Sequence, residues 1–268
     1  MNDLYERIRY MKTYNKRTFN KAFKNPNQIY NPNSPIMFHL KYSDTMHACR
    51  EIVSKDSFGS GFIFTYQDKS FLVTAAHVVI NKNRIHRKVL SITTHNGETY
   101  TFQAELYYHF NKSLDLCVIK LPDDYVSDAS LTYQYGPVEV GEEHFFFGYP
   151  GTIDSTFGFD LKHGTPLPVI RRGIISHFGV LDDINFMWID TIAVGGFSGS
   201  PLVKFDKQQK GSVIGIITNG NVDLSEIYDK EGNELDMYSV HQTGFTKAIH
   251  ILYVIDIIEQ NNLISNES

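Results

Sequence analysis

The sequence predicts an all-β protein, a sandwich or a barrel, that ends in an α-helix. Three observations carry this expectation. Between about residues 36 and 248, short apolar runs such as GFIFTY, FLVTAAHVV, DLCVIKL, EHFFFGYP and SVIGIITN recur at even spacing. Turn signals separate them, among them Asn96-Gly97, Lys210-Gly211 and Asp229-Lys230-Glu231-Gly232. Many short strands broken by such turns favour a sandwich or barrel over alternating β-α units. After Lys247 the period changes. Ile251, Val254, Ile255 and Ile258 fall at i, i+3, i+4 and i+7, which predicts an amphipathic helix over about 247–260.

Composition narrows the function. The chain has 268 residues, 42% of them hydrophobic and 21% charged, enough for one large core or two small ones. A formal net charge of -5 offers no general attraction to nucleic acid or to an anionic membrane, so neither is an expected partner. No 18-residue apolar stretch suggests a membrane span. The two cysteines, Cys49 and Cys117, form no Cys-x-x-Cys pair and no zinc spacing. They are expected to be free thiols, and no metal or other cofactor is expected. The first 27 residues contain no apolar run of the secretory kind. With the sparse cysteines, this leads to the expectation of a cytoplasmic protein.

Residues 1–35 form an N-terminal extension, basic and aromatic, closing in the Asn/Pro cluster NPNQIYNPNSP. Leu4, Ile8 and Met11 recur there at helical spacing. Residues 122–142, with Pro122, Gly136 and Pro137, are expected to connect two sub-domains. Residues 221–240 carry six carboxylates, Asp223, Glu226, Asp229, Glu231, Glu234 and Asp236, against Lys230 alone. That composition suggests a solvated acidic loop.

Three segments carry chemistry. Hydrolysing a peptide bond without a metal needs a nucleophile, a base that later serves as an acid, and donors for the developing oxyanion. In Gly195-Gly196-Phe197-Ser198-Gly199-Ser200-Pro201-Leu202, glycines close to Ser198 let the chain turn sharply. A bend at Gly196 aims the N–H groups of Gly196 and Ser198 at one point, beside the Ser198 hydroxyl. Ser200 is expected to be a hydrogen-bonded turn serine. In Phe71–Val79 a strand runs into small residues and then His77. In Ser113–Ile119 an aspartate, Asp115, heads an apolar strand, where it must accept hydrogen bonds if it is buried. Pairing with an imidazole N–H would satisfy it and hold the tautomer.

Taken together these segments resemble the trypsin-like peptidases, and in particular their bacterial HtrA-like branch. Gly59-Ser60-Gly61-Phe62-Ile63-Phe64 followed by Thr74-Ala75-Ala76-His77 is similar to that family's opening barrel. Leu114-Asp115-Leu116-Cys117-Val118-Ile119 resembles its aspartate strand, and Gly196–Leu202 its nucleophile turn. The chain order His, Asp, Ser is that of the same fold. The resemblance covers about residues 50–260. It implies two antiparallel Greek-key β-barrels packed face to face, the first over about 36–125, the second over about 140–247, followed by the helix. The peptidase domain as a whole is then 36–260.

It also implies a serine endopeptidase acting on protein or peptide, with His77, Asp115 and Ser198 as a triad. Ile192, Ile217 and Thr243 are implied to line the pocket for the side chain before the cut. The strand around Ile217, Thr218 and Asn219 is implied to pair with an extended substrate. None of these residues is charged, so an apolar residue before the cut is expected. The alternative is a binding or sensing module on the same fold with little turnover. An esterase would use the same groups. The sequence departs from secreted trypsins in having no cysteine pair around His77 and no Ile-Val-Gly-Gly N-terminus. Unlike many HtrA-like proteins, it shows no PDZ domain after the peptidase region.

Overall fold

The structure, a computed structural model, describes residues 42–54, 57–80, 86–93, 98–127, 129–134, 136–151, 159–160, 165–231 and 234–264. The N-terminal extension, with its helical spacing at Leu4, Ile8 and Met11, and the Asn96-Gly97 turn lie outside these residues. A short helix α1 (Ser43–Ala48) leads into β1 (Cys49–Ser54), β2 (Ser57–Tyr66) and β3 (Lys69–Thr74). A single turn, α2 (Ala76–Val79), follows. Then come β4 (Val89–Thr93), β5 (Thr99–Gln103), β6 (Glu105–Tyr107) and β7 (Cys117–Lys120).

These seven strands form one antiparallel sheet in the order β5-β4-β1-β2-β3-β7-β6. Strands β5 and β6 stand at opposite ends of that order, yet only Ala104 separates them in the chain. The sheet therefore curls so that its two edge strands come together at Ala104. The second half contains β8 (Glu143–Gly148), the short pair β9 (Phe159–Asp160) and β10 (Thr165–Pro166), β11 (Val169–Leu181) and β12 (Ile184–Asp190). It continues with β13 (Pro201–Phe205), β14 (Gly211–Tyr228) and β15 (Glu234–His250). Six of these close a barrel in the order β11-β12-β15-β14-β13-β8. The expected two-barrel, all-β architecture is thus the one observed.

Period-two alternation explains the packing. In the first half Ile63, Leu72, Cys117 and Ile119 point into the sheet's concave core. Their neighbours Phe62, Phe64, Phe71, Val73 and Val118 point the other way. There they meet Phe147, Val203, Val213 and Ile216 from the second barrel. Phe146, Met187, Ile189, Leu202 and Ile217 fill the second barrel itself. Strands β2, β3 and β7 are apolar on both faces because one face fills the first barrel and the other glues the barrels together.

The segment after β7 serves both halves. Leu131 exchanges backbone hydrogen bonds with Ile63 and Thr65, and the next carbonyl, of Thr132, accepts the Val213 N–H. Arg50, 1% exposed, fastens the start of this segment. Its guanidinium donates to the Tyr125 hydroxyl (2.9 Å), to Ser127 Oγ (3.0 Å) and to the carbonyls of His47 and Cys49. Both cysteines are buried and free. Burial pushes the Cys117 thiol up to about 12, so it carries no thiolate reactivity.

The terminal helix α3 runs from Leu252 to Gln260. It starts later than its periodicity suggests because Lys247–His250 still pair with β12 and β14. Ile251, Val254, Ile255 and Ile258, the four periodic positions, are all buried. Each such burial is worth roughly 1.5–3 kcal/mol, which outweighs the modest helix propensity of β-branched residues. The expected acidic loop is not a loop. Residues 221–228 and 234–242 extend β14 and β15 as a two-stranded ribbon, paired from Val222↔Gln242 to Tyr228↔Glu234. Alternating Val222, Leu224, Tyr238 and Val240 supply strand-forming residues that the count of carboxylates obscured.

Candidate active site

Strand pairing brings His77 and Asp115 together. In the β3–β7 register Thr74 faces Cys117. Two residues beyond each strand end, the chain places Asp115 beside the Ala76–His77 turn. The carboxylate then accepts twice. Oδ1 takes the His77 backbone N–H at 3.0 Å, and Oδ2 takes the ring Nδ1–H at 2.7 Å. A carboxylate only accepts, so the proton sits on Nδ1 and Nε2 keeps its lone pair. Partial burial works to lower the basicity of His77. The Asp115 hydrogen bond and charge outweigh it and hold the imidazole above its ordinary value of 6.5. The side chains are 49% and 33% exposed, so solvent screens the pair and little stability rests on it.

Ser198 lies in the loop between β12 and β13. Gly196 adopts a left-handed φ of 107°. A side chain there would run into the backbone at Tyr149, Pro150 and Gly151. The turn's carbonyls are occupied. Gly195 C=O accepts the Gly151 N–H (3.1 Å), and Gly196 C=O accepts Ser60 Oγ (2.7 Å). The N–H groups of Gly196 and Ser198 take no acceptor among the described residues. Two free donors, at the residue with left-handed φ and at the serine, are what an oxyanion site requires.

The His77 and Ser198 segments meet across Gly59. A methyl group on that residue would lie 2.6 Å from Val78 Cγ2 and 3.1 Å from the Ser198 carbonyl oxygen. The Ser198 hydroxyl, however, donates to the Thr218 carbonyl at 3.0 Å. Among the described residues no hydrogen bond links it to His77. Ser200, expected to be satisfied, has a fully buried hydroxyl without a hydrogen-bond partner among the described residues. Gly148 makes room for it, since a methyl group there would run into Ser200 Oγ.

The other expected positions divide. Thr218 is buried and offers its carbonyl to the Ser198 hydroxyl, while Asn219 is exposed just beyond. Ile192 is 39% exposed on the loop opposite. Gly220 approaches that loop so closely that a methyl on it would lie 2.9 Å from the Ala193 carbonyl. Thr243 is exposed and donates to the Asn221 carbonyl (3.3 Å), at the root of the ribbon. Ile217 is different. Its side chain, 1% exposed, packs inside the barrel, and its peptide groups are taken by Gly199 and Ser200. It lines no open slot, so a paired chain meets the strand only from Thr218 onward.

Two residues at the site were not singled out by the sequence. Ser60, in β2, is fully buried. Its N–H donates to Ser198 C=O (2.8 Å), and its Oγ donates to Gly196 C=O while accepting the Tyr149 N–H (2.8 Å). Thr246 accepts the Ala193 N–H (2.9 Å) and donates to Thr191 C=O (2.8 Å), bracing the loop that carries Ile192. The signal for Ser60 was its place between two glycines in a strand, which marks close backbone approach.

The family model described as "Trypsin-like peptidase domain" matches residues 59–216. The chain belongs to the trypsin-like peptidase family. It is 27% identical over 186 residues to serine protease HTRA1A of Danio rerio and 30% identical over 186 residues to serine protease HTR4 of Rattus norvegicus. In each case the match covers 69% of this chain and 34% of the relative, so the matched region spans about a third of those proteins. The fold is similar to that of the serine endoprotease from Yersinia pestis, with a TM-score of 0.53 and 21% identity. That match covers 84% of this chain and 67% of the other. It is also similar to Rv3671c from M. tuberculosis in an inactive form, with a TM-score of 0.53, 16% identity, and coverage of 88% and 94%. Among the described residues no helix is long and apolar enough to cross a membrane.

Replacing Asp115 by Asn removes the charge that raises His77 and turns one of the two accepting oxygens into a donor. The His77 titration, followed by the imidazole NMR signals, should therefore move down. The sign for stability is fixed as well: a histidine raised by folding stabilises the fold below its unfolded value and loses that contribution as pH climbs through the folded one. Ser60→Ala strands the Gly196 carbonyl and the Tyr149 N–H, and should cost about 1–3 kcal/mol in urea denaturation. An unchanged midpoint would mean that the hydroxyl braces nothing.

Proposed function

We propose that this chain is a serine endopeptidase that cuts protein or peptide substrates through an acyl-enzyme. The observation that carries the reading is the 2.7 Å hydrogen bond from His77 Nδ1 to Asp115, which leaves Nε2 as a base. Ser198 Oγ attacks the scissile carbonyl and its proton passes to Nε2. The tetrahedral oxygen is held by the N–H groups of Gly196 and Ser198. Collapse expels the amine, which takes the proton from Nε2. Water then repeats the sequence on the ester, giving its proton to Nε2 and releasing Ser198 with that proton. Before the first step the Ser198 hydroxyl turns away from the Thr218 carbonyl toward the imidazole. A substrate amide that takes the Thr218 carbonyl favours this turn.

On this reading Ile192, Thr218, Asn219 and Thr243 border the approach to Ser198, and none of them carries a charge. The side chain before the cut is therefore uncharged and apolar in preference. A peptide library cleaved chiefly after Arg, Lys or Glu would contradict that assignment.

A second reading has one observation in its favour. Ser198 donates to Thr218 and not to His77, as in a binding or sensing module with little turnover. Fluorophosphonate labelling separates the two. The peptidase reading expects labelling that Ser198→Ala abolishes, and a cleavage rate that rises with pH through the His77 value, above 6.5. Asp115→Asn should lower kcat on the order of 10⁴-fold and shift that rise to lower pH. A chain that neither labels nor cleaves any member of a broad peptide library is a binding module.

A further inference from the structure

The ribbon formed by β14 and β15 has an open edge that begins at the nucleophile. Strand β13 pairs with β14 only as far as Pro201↔Ile216. The next two bonds on that side, Ile217 N–H to Ser200 C=O and Gly199 N–H to Ile217 C=O, belong to the nucleophile turn itself. From Thr218 to Tyr228, β14 has β15 on one side and, among the described residues, no strand on the other. We propose that this edge is an extended substrate-docking strand, which takes the part of the substrate that precedes the scissile bond, well beyond the residues next to the cut. The inference rests on the peptidase reading and names the substrate class for the same site.

Three features support it. A ribbon of two strands is marginally stable in water and gains from a third, and an open edge is a template for one. Direction follows from the sheet. A chain that takes up the line of β13 runs antiparallel to β14, so its C-terminal end reaches Ser198 while its upstream residues lie outward along the ribbon. That is the acyl half of the substrate. Side chains then choose the sequence. Val222 and Leu224 share a face with Val240 and Tyr238, and all four are more than half exposed. Around them the ribbon carries six carboxylates against Lys230. The segment that fits is extended and alternates apolar with basic residues upstream of the cut.

The test uses the full chain and two fluorogenic peptides identical from four residues before the cut to three after it. One carries a further six upstream residues alternating Val and Lys, and a control extension alternates Ser and Glu. The Val/Lys extension should lower KM by about tenfold and the Ser/Glu extension should not. Within each variant the ratio of extended to short peptide is the readout. Leu224→Glu should bring that ratio close to one, and Glu226→Lys should erode the advantage of the basic extension. Equal KM values for all three peptides in the wild type would overturn the proposal. If the short peptide is not cleaved at all, the peptidase reading fails by itself. Anisotropy of labelled peptides on Ser198→Ala then still tests the edge, with tighter binding of the Val/Lys extension expected and equal binding overturning it. A concentration-dependent dimer that Leu224→Glu dissolves, together with equal peptide binding, assigns the ribbon to a second copy of the chain and also overturns the proposal.

Discussion

The site depends on one inter-barrel contact, the pairing of Ser60 with the nucleophile turn. A loop of one barrel must be held in a single conformation by a strand of the other. Ser60 does this with its N–H on Ser198 C=O and its hydroxyl on Gly196 C=O. Both carbonyls are thereby fixed, and the peptide N–H groups between them have their directions fixed as well. Buried hydrogen bonds are modest in net worth but expensive to leave unmade. A slip between the barrels would break several at once, including the Tyr149 N–H on Ser60 Oγ at 2.8 Å. The apolar seam of Phe62, Phe64, Phe147 and Val203 supplies attraction without direction, and Ser60 supplies the register.

The electrostatics are set by exposure as much as by contact. His77 and Asp115 lie near the surface, where solvent weakens their attraction, yet two hydrogen bonds from one residue hold the carboxylate in place. The resulting imidazole is more basic than an ordinary one and has a defined tautomer. On the peptidase reading, the N–H groups of Gly196 and Ser198, without an acceptor among the described residues, are the donors for the developing oxyanion. The resting hydroxyl leans on Thr218, at the inner end of the strand edge that continues into the ribbon. On the peptidase reading, one carbonyl thus serves both as the rest for the Ser198 hydroxyl and as the first acceptor that a paired chain would meet.

Much of this was legible in the sequence because it is written in local chemistry. Strand alternation, the glycines around Ser198 and the spacing of Ile251, Val254, Ile255 and Ile258 all reflect short-range constraints. What was not legible depends on partners far along the chain. Ser60 reaches Gly196 across 136 positions. Arg50 answers Tyr125 and Ser127, which no local pattern near β1 announces. The ribbon was read as a loop because its carboxylates dominate the composition, whereas the alternation of Val222 and Leu224 against Val240 and Tyr238 decides its structure. Ile217 was assigned to a pocket, but the alternation of β14 turns its side chain into the barrel.

The most direct test of the account is the structure of a peptidyl boronate adduct. The account predicts boron bonded to Ser198 Oγ, one boronate oxygen within hydrogen-bonding distance of the Gly196 and Ser198 N–H groups, and His77 Nε2 turned toward the adduct. The peptide should run antiparallel to β14 outward from Thr218. An adduct on another residue, or boronate oxygens that reach neither N–H group, would contradict it.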